Sequence, residues 1–552
     1  MNPRERPHLK ILENTPPIPS PQENGGPTHH EKDKLPEITP KQKFSIDTGI
    51  EYAKAFLDNE HPSSSEVKAV YAPFTSVAYA NAGLYKRAQV YGNIALKELK
   101  KSQPNQEIDP LTYVTPILEA QAYRGDIHTL HETINSLDPE FQHDAIMAAF
   151  SVLGECGRSR EAIELLSVYD DKQFIWNGLE NLAAAHYLDD FDLSPVLEHL
   201  NLLKEHADPF SKKIFDVKFG ITSMRIGNEN PLQYQRVKAK LHALEANPLA
   251  KDELVRMYSK MAQFATRFGF KDDANFFLER IKQNGNHDKY IDCLSTMAAE
   301  TLFSGGDPLE YIRNAQNYLR EHKAEYKPET YDPFQERIDA ALKRFLLLYN
   351  PKEFQLVYPD LFSNPSSGIA LIRECLEIGE IGKKRPGFIM PREALLGQLD
   401  ILEQSAHNQD EEGKRSDLFN QLIECAYLRS KIDPSDKNFF QNVEQLLEQS
   451  GTPQERGTFY AMIGEKKAQL GVDGTLDFEK AHTSLQEITD KNYSGADIYY
   501  TLLLSQASSA YLKHAAMASS SLSTDEYYRL VKQRQSHIRK QKHEEIGLRL
   551  VS

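Results

Sequence analysis

The chain has 552 residues, with 65 Lys and Arg against 80 Asp and Glu, for a formal net charge of −15 and a pI near 5.7. An excess of negative charge argues against general nucleic-acid binding, because a phosphate backbone recruits positive surfaces. Hydrophobic residues make up 40% and charged residues 26%, so there is enough apolar material to bury a core over most of the length, and a wholly disordered chain is excluded. Four cysteines, Cys156, Cys293, Cys375 and Cys425, lie at least 50 residues apart, which points to neither a disulfide framework nor a clustered zinc site. A reducing compartment is the default and a cytoplasmic location is expected. Prolines in MNPRERPHLKILENTPPIPSP interrupt the apolar stretch that a secretion signal needs. The longest apolar runs, Phe345–Tyr349 and Ile498–Leu504, fall short of the roughly 18–20 residues of a spanning helix.

Residues 1–46 hold nine of the 29 prolines and no helical or strand period, and are expected to form a disordered tail. Within them Pro16, Pro17 and Pro19 make a PPxP, without the flanking Arg or Lys that ligands of aromatic-grooved domains usually carry. From about Ile46, nearly every segment is a 12–20 residue amphipathic pattern rich in Ala, Leu, Glu, Gln and Lys, parted by Gly, Pro, Asn or Asp. Strand signals are almost absent, since Asn284-Gly285 and Asp473-Gly474 sit between helical patterns. The expected class is all-α. Helical repeats are expected over 47–350, and an irregular break over 351–393 with Pro351, Pro359, Pro365, Pro386 and Pro391. A second helical segment follows over 394–524, interrupted by the polar loop Asn408–Ser416, and then a basic helix over 525–552.

One unit recurs. Tyr79-Ala80-Asn81-Ala82-Gly83-Leu84-Tyr85-Lys86-Arg87-Ala88 is followed seven residues on by Ala95-Leu96. A first helix ends at Gly83, where a left-handed turn suits glycine, and the small Ala88 lets a second helix pack back closely. Gly157 is followed likewise by Ala162, Leu165 and Leu166, and Gly269 by Ala274 and Leu278, with Ala262 before it. Tyr460, Ile463, Gly464 and Gly471 make a further unit with a five-residue insertion before Phe478 and Ala481, and Gly125 is followed by Leu130 where Ala would stand.

This spacing resembles the tetratricopeptide repeat, which implies an α-solenoid of stacked antiparallel helix pairs, a tetratricopeptide-like superhelix, and a surface that holds a partner protein or peptide. Good matches cover about a quarter of the chain. The turn glycines Gly83, Gly125, Gly157 and Gly269 are 42, 32 and 112 residues apart, whereas such repeats run close to 34. The positions at which one subset of that family clamps a chaperone carboxylate with Lys and Asn fall here on Pro73 and Val77, and on Met147 and Ser151, so that clamp is not expected.

Common enzyme signatures are missing: Gly382 and Gly413 are followed by Lys-Lys and Lys-Arg rather than Lys-Ser/Thr, and there is no G-x-G-x-x-G, H-E-x-x-H or G-x-S-x-G. Cys156 falls at the end of a first helix, where the dipole disfavours a thiolate, and reads as a packing residue. His128, His131 and Glu132 (H-x-x-H-E) put two imidazoles on one helix face that could hold a metal ion only if a third ligand came from elsewhere, and they read as a solvated helix face. No catalytic residue, cofactor or metal is therefore expected. The stretch Arg529–His543 carries Arg529, Lys532, Arg534, Arg539, Lys540 and Lys542 with no acidic residue. It could meet an anionic partner or dock on the acidic solenoid itself. The expected function is a non-enzymatic scaffold or adaptor that binds a protein or peptide. The alternative is an RNA-binding helical-repeat protein that uses the basic segment, suggested also by a loose similarity of the Gly157 unit to pentatricopeptide repeats.

Overall fold

A computed structural model describes residues 65–520, apart from 82, 103–110, 168, 170, 190, 228–229, 246–250, 285–286, 327, 360, 362–363, 386–387, 409–414, 436–437 and 489–494. The tail expected over 1–46 and the basic helix expected over 525–552 lie outside the described residues. Among those described, every regular element is a helix and there is no strand. The chain is an all-α solenoid of stacked helix pairs and divides into two compact units.

Unit 1 comprises residues 1–186, 190–197 and 451–552. Its helices are α1 (Ser65–Asn81), α2 (Tyr85–Ser102), α3 (Leu111–Arg124), α4 (Ile127–Asn135), α5 (Pro139–Glu155), α6 (Ser159–Leu166) and most of α7 (Lys172–Leu188), with the start of α8 (Ser194–Glu205). Unit 2 comprises residues 187–189 and 198–450. It carries α9 (Pro209–Arg225), α10 (Pro231–Leu244), α11 (Lys251–Arg267), α12 (Lys271–Gln283), α13 (His287–Phe303), α14 (Leu309–Glu321), α15 (Pro328–Tyr349), α16 (Pro351–Val357), α17 (Pro365–Gly382), α18 (Arg392–Asn408), α19 (Arg415–Ile432) and α20 (Gln441–Ser450). The chain then returns to unit 1 for α21 (Pro453–Gln469), α22 (Thr475–Gln486) and α23 (Gly495–Ser520).

The pairs are built around one repeated turn. Gly83, Gly125, Gly157, Gly269, Gly305 and Gly471 all sit at φ between +71 and +77°, a left-handed conformation that costs an L side chain roughly 1–2 kcal/mol. At the first of them the Gly83 amide donates to the Ala80 carbonyl at 2.8 Å and the Leu84 amide to the Tyr79 carbonyl at 2.9 Å; the same two bonds recur at the other five. These bonds satisfy carbonyls that the end of a helix otherwise leaves open. The small residues expected after the turns are core: Ala88 and Ala162 are fully buried, and so in effect are Ala274 and Leu130. Around the first turn Tyr79, Ala80, Ala88, Ile117 and Ala120 form one apolar cluster, with Tyr91 stacked on Tyr79 at 5.2 Å.

In unit 2 the first helices α9, α11, α13, α15, α17 and α19 each pack on the next, and α10, α12, α14, α16, α18 and α20 each pack on the first helix of their own pair. The irregular period now has a structural origin. First helices run from 14 residues in α3 through 17 in α5, α9, α11, α13 and α21 to 22 in α15, and second helices vary more, from 7 in α16 and 8 in α6 to 18 in α2. In unit 1, α23 packs on α21 and also on α1 and α3, so residues near the C-terminus close against the first pairs.

Unit 2 also buries charge. Arg267 clamps Glu300 through Nε at 2.8 Å and a terminal nitrogen at 2.7 Å, with Glu300 only 5% exposed. Arg385, from the connection after α17, reaches the same carboxylate at 3.6 Å, and Phe388 meets Phe303 edge-on at 5.2 Å. The proline-containing stretch thereby ends docked on the last turn of α13.

Candidate functional site

Three consecutive helices of unit 2 each turn one face toward a shared groove of about 630 Å³, within the size range of ligand-binding clefts. From α18 come Asp400, Glu403 and His407; from α19 come Leu422, Ala426 and Arg429; and from α20 come Asn442, Gln445 and Gln449. The spacing in each set is three or four residues, which places each set on one side of its helix. Beside this row Val443 and Leu447 are buried, Val443 at the floor of the groove, and their burial keeps the amide row outward.

The groove has an apolar floor of Leu422, Ala426 and Val443, with Phe439 and Leu446 at its edge. One wall is acidic. Arg429 donates to Asp400 at 2.7 Å and to Glu403 at 3.0 Å. Burial works against its positive charge, but the hydrogen bonds to Asp400 and Glu403 prevail and raise its pKa above the ordinary arginine value. The other wall is neutral and amide-bearing, and Asn442, Gln445 and Gln449 are exposed along it. An amide side chain both donates and accepts, so this wall complements peptide groups rather than a particular charge.

The residues singled out from sequence fall elsewhere. Arg529, Lys532, Arg534, Arg539, Lys540 and Lys542 lie outside the described residues. Cys156 is fully buried, and burial pushes its thiol up to about 12. Burial does the same to Cys293, Cys375 and Cys425, so none of the four is poised as a thiolate near neutral pH. His128 pairs with Glu132 at 3.5 Å with both side chains largely exposed, while His131 faces Glu164 on α6 at 4.0 Å. Ser159 and His186 approach to 3.1 Å, but His186 is fully buried and its other ring nitrogen meets the Gly154 carbonyl. That imidazole fastens α7 to α5 and α6 and has no access for a substrate. Among the described residues the imidazole and carboxylate groups close enough to share a metal ion are His287, His322 and Glu325.

Sequence reading missed both the groove and this trio. N-x-x-Q-x-x-x-Q at 442–449 marks an exposed helix face without saying what meets it. His287 and His322 are brought together only by the folding of the α13–α14 hairpin. No protein-family model matches the chain, and no curated protein proves similar to it. No helix among the described residues is long and apolar enough to cross a membrane.

Proposed function

We propose that this chain is a non-enzymatic, tetratricopeptide-like scaffold of the cytoplasm that holds an extended segment of a partner protein in the α18–α20 groove. The observation that carries the reading is the convergence of three helix faces, one acidic, one apolar and one amide-bearing, on a single groove. From Asn442 to Gln449 the helix rises about 10 Å, the length of roughly three residues of extended chain. Three amides over that length can meet the alternating donors and acceptors of a peptide backbone, while Asp400 and Glu403 favour a lysine or arginine among its side chains. Protein binding of this kind needs no nucleophile or poised thiolate.

The test is selection of extended peptides from a random display library on the full-length chain. It is repeated with a triple Asn442→Ala, Gln445→Ala, Gln449→Ala variant, whose changes lie on an exposed face. At about 0.5–1.5 kcal/mol per hydrogen bond, loss of the three should weaken selected peptides at least tenfold. Peptides that bind the variant equally well would remove the groove from the account. Nuclease-sensitive RNA as the dominant species on protein purified from its source cell would favour the basic segment instead.

A further inference from the structure

We infer that His287, His322 and Glu325 form a binding site for one zinc-class divalent cation, which clips together the open end of the α13–α14 hairpin. The inference does not depend on the groove and concerns a different part of unit 2.

The hairpin itself places the three groups. His287 is the first residue of α13, His322 caps the C-terminus of α14, and Glu325 ends the short 3-10 turn Lys323–Glu325 that follows. The two helices are joined at their other end by the left-handed turn at Gly305, so the N-terminus of α13 and the C-terminus of α14 come side by side. One ligating atom from each of the three residues lies within 4.8 Å of the other two. Nitrogen and carboxylate ligands stand about 2.0–2.2 Å from zinc. The Glu325 side chain is 56% exposed and free to swing inward, and its Oε2 is already 3.4 Å from Nε2 of His287.

What separates this trio from a chance cluster is the way its imidazoles are held. His322 Nδ1 is 2.9 Å from the Tyr318 backbone oxygen. A carbonyl only accepts, so Nδ1 carries the proton and Nε2 keeps its lone pair. His287 Nδ1 is 2.6 Å from the Tyr318 hydroxyl, which can accept from Nδ1–H and so leave the second Nε2 lone pair available as well. The Tyr318 ring stacks on both imidazoles, with centroids 4.1 Å from His322 and 5.8 Å from His287. A single residue thus fixes the orientation of two rings and can set the tautomer of both, as the outer partners of metal-bound histidines do.

Two imidazoles and one carboxylate suit zinc and its neighbours rather than calcium or magnesium, which take oxygen ligands. Three protein ligands also leave a fourth position for water or a partner's side chain. The negative end of α14 and the positive end of α13 meet there and offset one another, so the helix dipoles give no net preference. Lys282, which lies over the Tyr318 ring at 5.4 Å, works against a cation and limits the affinity.

The experiment is calorimetric titration of the metal-free full-length chain with zinc sulfate, paired with cobalt(II) absorption, whose visible bands report a tetrahedral nitrogen and oxygen site. One saturable equivalent is expected. Glu325→Gln, at an exposed side chain, should weaken binding at least tenfold. His287→Gln with His322→Gln should abolish it. Tyr318→Phe, which keeps the ring and the carbonyl but removes the hydroxyl, should weaken it about tenfold. No saturable binding to the wild-type chain would overturn the inference, and so would an equivalent of zinc that binds Glu325→Gln and the double histidine variant unchanged.

Discussion

Units 1 and 2 share the same helix pair and the same glycine turn, but their buried distant contacts differ in chemistry, the Lys513–Glu155 ion pair of unit 1 being largely exposed. In unit 1 the closing helix α23 is rich in small residues: Ala507 and Ser508 are buried, and Asn81 on α1 donates to Ser508 at 2.5 Å and to Ser509 at 3.0 Å. Those partners are 427 and 428 residues apart. In unit 2 the distant contact is ionic, with Arg385 brought to the Arg267–Glu300 pair across the α17–α18 connection. A neutral hydroxyl can be removed from a doubly served donor at small cost, whereas removing one member of a buried charge cluster leaves the rest uncompensated. The two units should therefore differ in fragility. Trp176, the only tryptophan in the chain and fully buried in unit 1, makes the difference measurable by fluorescence.

The largest effect is expected from Glu300→Ala. It removes the carboxylate that Arg267 and Arg385 share, with their side chains 10% and 15% exposed, and should cost unit 2 about 3–5 kcal/mol. Hydrogen exchange should rise in α11, α13 and α17 while Trp176 fluorescence keeps its wild-type midpoint. A loss below about 1 kcal/mol would show that the cluster is well hydrated and would erase the contrast between the units.

A paired substitution sharpens the comparison at the shared turn. At Gly269 an added Cβ would meet nothing within 4 Å, so Gly269→Ala pays only the left-handed backbone term, about 1–2 kcal/mol. At Gly157 the same Cβ would lie 2.7 Å from the Phe191 ring, which adds overpacking and brings the expected cost of Gly157→Ala to about 2–4 kcal/mol. Urea denaturation followed by Trp176 fluorescence for Gly157→Ala, and by hydrogen exchange in α11 and α12 for Gly269→Ala, checks both. Equal losses would mean that Phe191 yields freely and that the turn alone sets the cost.

The glycine turn was legible because it makes two local demands, a left-handed residue at the turn and a small one where the second helix crosses, and Gly83 with Ala88 or Gly157 with Ala162 satisfies both. Gly305 escaped notice because the residue five further on is Glu310, with Gly306, Asp307 and Pro308 delaying α14. Gly227 escaped because the same position is Leu232, 62% exposed. The period was illegible because helix length varies in both members of the pair, from 7 to 18 residues in second helices and from 14 to 22 in first helices. Neither the groove nor the histidine trio leaves a compact trace in sequence. The groove is made of side chains ordinary for any exposed helix, and the trio needs the hairpin to form before its members meet. The return of α23 to α1 leaves no trace either, since Asn81, Ser508 and Ser509 have no distinctive neighbours.

The smallest expected effect tests that return directly. Ser508→Ala removes one of the two hydroxyls that receive the Asn81 amide, yet Ser509 remains at 3.0 Å, so no buried donor is orphaned. The cost should stay near the net worth of one neutral hydrogen bond, about 0.5–1.5 kcal/mol, and should appear in the Trp176 transition because α23 packs on the same unit. A Trp176 midpoint that does not move at all would mean that the Ser508 hydroxyl contributes nothing to the closure and that the Ser509 hydroxyl serves the Asn81 amide in full. A loss as large as that of Glu300→Ala would mean that neutral and ionic closures are equally brittle, and the contrast between the two units would have to be sought in something other than charge.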